Sequence, residues 1–204
     1  MTDVAIATED ELSEIICRKL LGEVGIKPFL ELRRGGSGYL RGRIPSFCQM
    51  AQNYPVIVLT DLDLVVCAPR LVADWLRNQI VPQNFLLRVA VREVESWLLA
   101  DGSALSSYFG VEMRVDSVEN ISDPKQFLLE KLRRSQRAIR TSVVNVRRGQ
   151  AYCGVGYNNE LAGFVREAWS PERASQHSDS LSRMRRRISE MTSREQREGA
   201  EVTK

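Results

Sequence analysis

Tyr54-Pro55-Val56-Ile57-Val58-Leu59-Thr60-Asp61-Leu62-Asp63 is the stretch that decides the fold. Four consecutive apolar residues after a proline read as a strand buried on both faces, as in the middle of a parallel sheet. The strand runs into two carboxylates one residue apart. In extended backbone the side-chain period is two, so Asp61 and Asp63 are expected on one side and Leu62 on the other. Open α/β sheets keep their ligand sites at the carboxyl ends of such strands. Two acids there repel each other unless a cation sits between them, and oxygen-only ligands suit Mg²⁺ or Mn²⁺. An Asp-rich turn would carry the same letters. The flanking segments have to decide.

Upstream, Val4-Ala5-Ile6-Ala7 reads as a short strand that breaks at Thr8-Glu9-Asp10. A helix follows with Leu12, Ile15, Ile16, Leu20 and Leu21 on one face. Glu9 therefore stands on a strand-to-helix turn, where an acid serves either as a helix cap or as a site carboxylate. Glu11 and Glu14 fall on the helix and are expected in solvent. Gly22 to Gly25 closes that helix, and Pro28 to Leu32 alternates as a second strand. Arg33-Arg34-Gly35-Gly36-Ser37-Gly38-Tyr39 is expected as a flexible basic loop, either touching phosphate or acting as a plain linker. It lacks the G-x-x-x-x-G-K-[ST] pattern, which excludes a P-loop. Ile44 to Asn53 reads as a helix leading to the central strand.

Downstream, Pro69 opens a helix bearing Leu71, Val72, Trp75 and Leu76. Asn84 to Val91 is the next apolar strand, passing directly into Arg92-Glu93-Val94-Glu95-Ser96-Trp97-Leu98-Leu99-Ala100-Asp101. Acids again stand where a strand becomes a helix, while Trp97-Leu98-Leu99 reads as core. Ser122-Asp123-Pro124-Lys125 is a capped helix start with proline in the first turn. Arg133, Arg134, Arg137, Arg140, Arg147 and Arg148 then fall within sixteen residues. Any one of them is explained by solvation; the group is a candidate surface for nucleic acid. Tyr157 to Trp169 reads as a helix with Leu161, Phe164, Val165 and Trp169 inward, and Ser180 to Met191 as a final basic helix. Thr192 to Lys204 is polar and expected to be disordered.

The expected division is a catalytic core over residues 1–115, an Arg-rich helical extension over 116–191 and the tail over 192–204. No internal repeat is visible. A chain of 204 residues, 43% hydrophobic and 27% charged, fits one α/β domain with additions. No apolar run reaches the ~18 residues of a membrane span, and the N-terminus lacks the regions of a signal peptide. The expectation is a cytoplasmic protein that does not engage membranes. Cys17, Cys48, Cys67 and Cys153 show no C-x-x-C spacing and are expected as reduced, mostly buried thiols. The single histidine, His177, excludes His-rich metal sites and argues against a Ser-His-Asp mechanism. Any chemistry must rest on carboxylates. Net charge is only +3, but acids collect between Asp3 and Glu14 and arginines collect late, through Arg183, Arg185, Arg186 and Arg187.

Three acid clusters, Glu9, Asp61/Asp63 and Glu93/Glu95, thus follow apolar strands. An acid after the first strand and D-x-D after a later one resembles the Toprim fold of topoisomerases, primases and OLD-type nucleases. Thr8-Glu9-Asp10 resembles a divergent Glu-Gly motif of that fold, with Asp10 where glycine is usual. Leu59 to Asp63 with Cys67-Ala68-Pro69, the Val89 to Asp101 block and Asp123-Pro124-Lys125 narrow the resemblance. They are similar to small bacterial Toprim-like proteins allied to OLD nucleases. Trp169-Ser170-Pro171-Glu172-Arg173-Ala174 and Ser178 to Leu181 extend it over most of the chain.

The resemblance implies a Toprim/Rossmann-like parallel sheet flanked by helices, with a mostly helical C-terminal extension. It implies metal-dependent phosphodiester chemistry on DNA or RNA. Asp61 and Asp63 would hold Mg²⁺ or Mn²⁺, Glu9 would be a further ligand or a general acid/base, and Glu95, with Glu93, would complete a second metal position. Lys125 would either steady the reacting phosphate or be a solvated helix lysine. The family's companions are ABC- or AAA-type ATPases, often in phage defence; assembly as a homo-oligomer is left open. A non-catalytic Toprim-shaped nucleic-acid-binding or ATPase-partner subunit is the alternative. Val58 to Val65 also matches the first motif of haloacid-dehalogenase-like phosphatases, with Asp61 as nucleophile. That motif usually sits on the first strand and needs a later acidic pair, which is missing here.

Overall fold

The computed structural model describes residues 3–33 and 35–202. Arg34 of the expected basic loop, and Thr203 and Lys204 of the expected tail, lie outside them. Contacts divide the chain into two compact units, one comprising residues up to Val89 together with Ser182 onward, the other Ala90–Leu181. The sequence reading put a boundary near Asp116; the division after Val89 arises because the block from Val94 to Asp101 packs with later helices.

The first unit is built around two strands, β1 (Val4–Thr8) and β3 (Val56–Asp61), that are apolar on both faces and so need cover on both sides. With β2 (Pro28–Arg33) and β4 (Phe85–Ala90) they form one parallel sheet in the order β2-β1-β3-β4. β1 lies parallel to both β2 and β3, with Thr8 beside Leu59 in the register. Helix α1 (Glu11–Gly22) joins β1 to β2 and buries Leu12, Ile15, Ile16, Leu20 and Leu21. Glu14, expected in solvent, is also buried; it pairs with Arg18 at 2.9 Å and with Arg33 at 3.6 Å.

Helix α2 (Gly36–Met50) corrects the expected basic loop, most of which is the first turn of a helix. Its composition argues against helix: Gly38 and Gly42 cost about 1 kcal/mol each and Pro45 about 3. Leu40, Ile44, Phe47 and Cys48 decide otherwise by packing onto Ala5, Ala7, Val56, Val58, Phe85 and Leu87. Burying each large side chain returns about 1.5–3 kcal/mol. Helix α3 (Ala68–Trp75) begins with Pro69 in its first turn, as expected, and adds Val72 and Trp75 to the same cluster.

The second unit contains α4 (Val94–Leu99), α5 (Gly102–Phe109), a 3-10 turn at Val118–Asn120, α6 (Pro124–Leu132) and α7 (Arg137–Val143). A hairpin of β5 (Val144–Arg147) and β6 (Gln150–Cys153) follows, which the sequence did not suggest. Its two-residue turn, Arg148-Gly149, has positive φ at both positions (50° and 83°), the geometry that matches strand twist. Then come α8 (Tyr157–Glu167) and α9 (Pro171–Ala174).

The long blocks of the chain interlock here. Trp97 donates to the Ser180 hydroxyl at 2.8 Å, and Trp169 donates to the Trp97 carbonyl at 3.1 Å. Buried Asp101 accepts from the Ser170 N–H at 2.8 Å and from two Arg173 nitrogens at 3.0 and 2.8 Å. Trp97 is core, as its spacing implied.

Helix α10 (Asp179–Val202) closes the chain. It runs through Val202, so the backbone expected to be disordered from Thr192 is helical. Among the described residues no helix is long and apolar enough to cross a membrane. All four cysteines are free, but only Cys17 and Cys48 are buried; Cys67 and Cys153 are exposed. Burial pushes the Cys17 thiol up to about 12, which keeps it inert.

Candidate functional site

In the first unit Glu9 meets the end of β3 where the sheet order reverses. β1 connects to β2 on one side and β3 lies on the other, so the crevice at the carboxyl ends of β1 and β3 is the topological switch point of this sheet. Glu9 leaves β1 and Asp61 ends β3. The register that sets Thr8 beside Leu59 brings Glu9 next to Thr60 and Asp61. Glu9 Oε1 accepts from the Thr60 hydroxyl and from the Asp61 N–H, the latter at 2.9 Å.

The capping task that would explain Glu9 structurally belongs to its neighbour. Asp10 is the N-cap of α1 and accepts from the Ser13 N–H at 2.8 Å. Asp10 has extended backbone, φ −143°, so the position makes no demand for glycine.

Burial raises the Glu9 pKa above its ordinary value; the Thr60 and Asp61 hydrogen bonds pull it back, and the Asp63 and Asp10 charges push it up again. Asp63 is therefore close enough for its charge to reach Glu9. Its backbone differs from expectation, however. β3 ends at Asp61, buried Leu62 follows, and Asp63 sits in a turn with φ 50°. The two-residue period that would align Asp61 with Asp63 does not extend past the strand. Aspartate tolerates this left-handed conformation better than most residues.

In the second unit Glu93 and Glu95 gather around Lys125. Glu95 is 1% exposed, and its Oε1 lies 3.4 Å from the Lys125 ammonium. The same oxygen accepts from the Tyr157 hydroxyl at 3.0 Å. Glu93 accepts from the Lys125 backbone N–H at 2.9 Å and lies 4.0 Å from its ammonium. Lys125 is thus an ion-pair partner of both acids, the third part of a cluster that includes Tyr157. Burial pushes the Tyr157 phenol well above its usual range, and the Glu95 charge adds to the effect.

Thr60 and Tyr157 are the residues that sequence reasoning missed. Thr60 carried a signal, being the one polar residue among apolar ones just before the acids. Tyr157 carried none, because its meeting with Glu95 depends on the chain path through Gly154. A Cβ there would lie 2.3 Å from the Ser142 carbonyl oxygen, so only glycine lets the hairpin return beside α7 and start α8.

The six arginines occupy one run of the second unit. Arg133 and Arg134 follow α6, Arg137 and Arg140 lie on α7, and Arg147 and Arg148 sit at the hairpin turn. Arg133 donates to the Gly149 carbonyl at 3.2 Å, joining the end of α6 to that turn. All but Arg133 are exposed.

Residues 7–189 match the family described as a domain of unknown function, DUF4276. The chain belongs to that family. No curated protein and no solved structure matches it. The family's description names no activity, so the chemistry has to be argued from the residues.

Glu9, Asp61 and Asp63 are all hard oxygen donors, with no histidine or cysteine between them, and this chemistry fits Mg²⁺ or Mn²⁺ rather than a softer metal. Among the described residues no group of three or more such side chains is already gathered to hold an ion.

Proposed function

We propose that the chain is a divalent-cation-dependent nuclease that cleaves phosphodiester bonds, working from the carboxyl ends of β1 and β3. The observation that carries this reading is the meeting of Glu9 with the Asp61 end of β3 at the switch point, with helix capping assigned to Asp10 instead. Glu9, Asp61 and Asp63 would hold Mg²⁺ or Mn²⁺, which when bound supplies charge neutralisation at phosphate and an acidified water.

The chain's own residues have distinct parts. Thr60 and the Asp61 amide orient Glu9, and the raised pKa of Glu9 suits a group that holds or passes a proton at its carboxylate. The arginines from Arg133 to Arg148 would bind the nucleic-acid backbone. In the second unit the Lys125 ammonium is paired with Glu93 and Glu95, and that cluster orders the α4–α6 packing. An ATPase partner in phage defence accompanies this reading through the family resemblance, and a cytoplasmic location through the lack of a signal-peptide pattern in the sequence.

A second reading, a non-catalytic nucleic-acid-binding subunit, is favoured by the lack of a gathered metal-ligand group among the described residues. Incubating purified protein with supercoiled plasmid and Mn²⁺ separates the two. Nicking or linearisation that Asp61→Ala abolishes supports the nuclease. Plasmid binding without cleavage supports the second reading.

A further inference from the structure

At the end of α6 a groove of about 500 Å³ is lined by Phe127, Glu130, Lys131, Arg133 and Arg134. Its volume falls within the range of small-molecule sites, roughly 300–1,000 Å³. Three cations face one acid there, and the acid is engaged: Arg133 donates to Glu130 at 2.8 Å and to the Gly149 carbonyl at 3.2 Å. Arg133 is therefore held as a wall of the groove. Exposed Arg134 and half-buried Lys131 supply the positive charge of the groove. The Lys131 ammonium lies 5.3 Å from the centroid of the Phe127 ring, so cation and aromatic surface share one place.

Cations near a helix C-terminus are commonly explained by the helix dipole. That accounts for Lys131 and for the charge of Arg133. It does not account for a phenylalanine left lining an open, basic groove instead of entering the core beside Leu128 and Leu129, which are buried.

We infer that this groove is a nucleotide subsite for single-stranded nucleic acid, taking a base against Phe127 and the adjoining phosphates on Lys131 and Arg134. The inference rests on the nucleic-acid reading above and adds the strand state. A base within a duplex is covered on both faces by its neighbours, so an aromatic ring can take only an unstacked one. Stacking tolerates any base, and the subsite accordingly has no sequence preference. DNA and RNA single strands present the same chemistry to it.

The test is fluorescence anisotropy in EDTA, which prevents cleavage, with labelled oligo(dT), oligo(U) and a duplex of equal length. The variants are Phe127→Leu, which keeps an apolar side chain in the helix, and Phe127→Trp, which keeps a stacking face. Phe127→Leu is expected to weaken single-strand binding by about 5- to 150-fold, the usual range for one stacked base, and to leave duplex binding within about twofold. Phe127→Trp is expected to bind single strands as wild type does. Equal loss on single strand and duplex, or no loss with Phe127→Leu, overturns the subsite while leaving nuclease activity to be judged on plasmid. Wild-type protein that binds neither form in EDTA overturns the subsite and the arginine surface, while plasmid cleavage in Mn²⁺ judges the nuclease reading separately.

Discussion

Replacing Thr60 with valine tests whether Glu9 is held as a charged group at the switch point. Valine nearly preserves the shape of threonine, and Thr60 is 1% exposed, so the change removes a donor with little change in packing. The lost bond is one to a carboxylate, worth about 1.5–3 kcal/mol. Glu9 is partly exposed, and solvent screening reduces that to about 1–2 kcal/mol at neutral pH.

The pH dependence identifies the cause. Burial raises the folded pKa of Glu9 above its ordinary 4.5, and the Thr60 hydroxyl is an influence that lowers it. A raised folded pKa contributes stability that is complete below the unfolded value and is lost as pH rises through the folded value. Thr60→Val raises the folded pKa further, so more stability is lost over that rise. Urea unfolding of wild type and variant at about pH 4 and about pH 7.5 should give a penalty about 1 kcal/mol larger at the higher pH. In a Glu9→Gln background that difference should disappear. A Thr60→Val penalty equal at both pH values refutes the reasoning.

Lys125→Met removes the ammonium beside buried Glu95 and should cost about 2–3 kcal/mol in urea unfolding at neutral pH, with most of it restored in Lys125→Met/Glu95→Gln. Asp101→Asn discharges the partner of Arg173 and should cost about 2–4 kcal/mol by the same assay, less when Arg173→Met is added. Burial lowers the Arg88 pKa, and Arg187, Arg183 and Arg186 on α10 push it the same way against Glu190. Arg88→Met should therefore melt higher than wild type at low salt, by about 0.5–1 kcal/mol of stability, with the gap closing as NaCl is added.

The centre of the sheet was legible because β1 and β3 are apolar almost without a break. Val4 to Ala7 and Val56 to Leu59 read as buried strands and are fully buried, with acids following both. Asp123-Pro124 was equally plain, since the cap and the proline act within one turn. Only the C-terminal half of α2 was legible, as the helix expected from Ile44; its start was hidden because Gly35, Gly36, Gly38 and Gly42 signal a loop, and the buried face from Leu40 to Cys48 makes it a helix. The hairpin was hidden because Arg148-Gly149 is a weak turn signal between strands of four residues.

The position of Asp63 followed from strand period only as far as the strand ran, and β3 stops two residues earlier. Lys125 stands thirty residues from Glu95 in sequence. No local pattern announces a pair of that kind, so its role waited on the packing of α6 against α4.

The claim that Glu9, Asp61 and Asp63 form a cation site is tested most directly by melting wild type and Asp61→Asn in EDTA and in Mn²⁺. Acids crowded at one place oppose folding until a cation joins them. Asp61→Asn should therefore melt higher than wild type in EDTA and gain less from Mn²⁺, whereas wild type should gain about 2.7 kcal/mol at a hundredfold excess over Kd. Glu11→Gln, on the surface of α1, should respond to Mn²⁺ as wild type does. Asp61→Asn melting lower than wild type in EDTA, and gaining as much from Mn²⁺, would make Asp61 a turn residue and contradict the account.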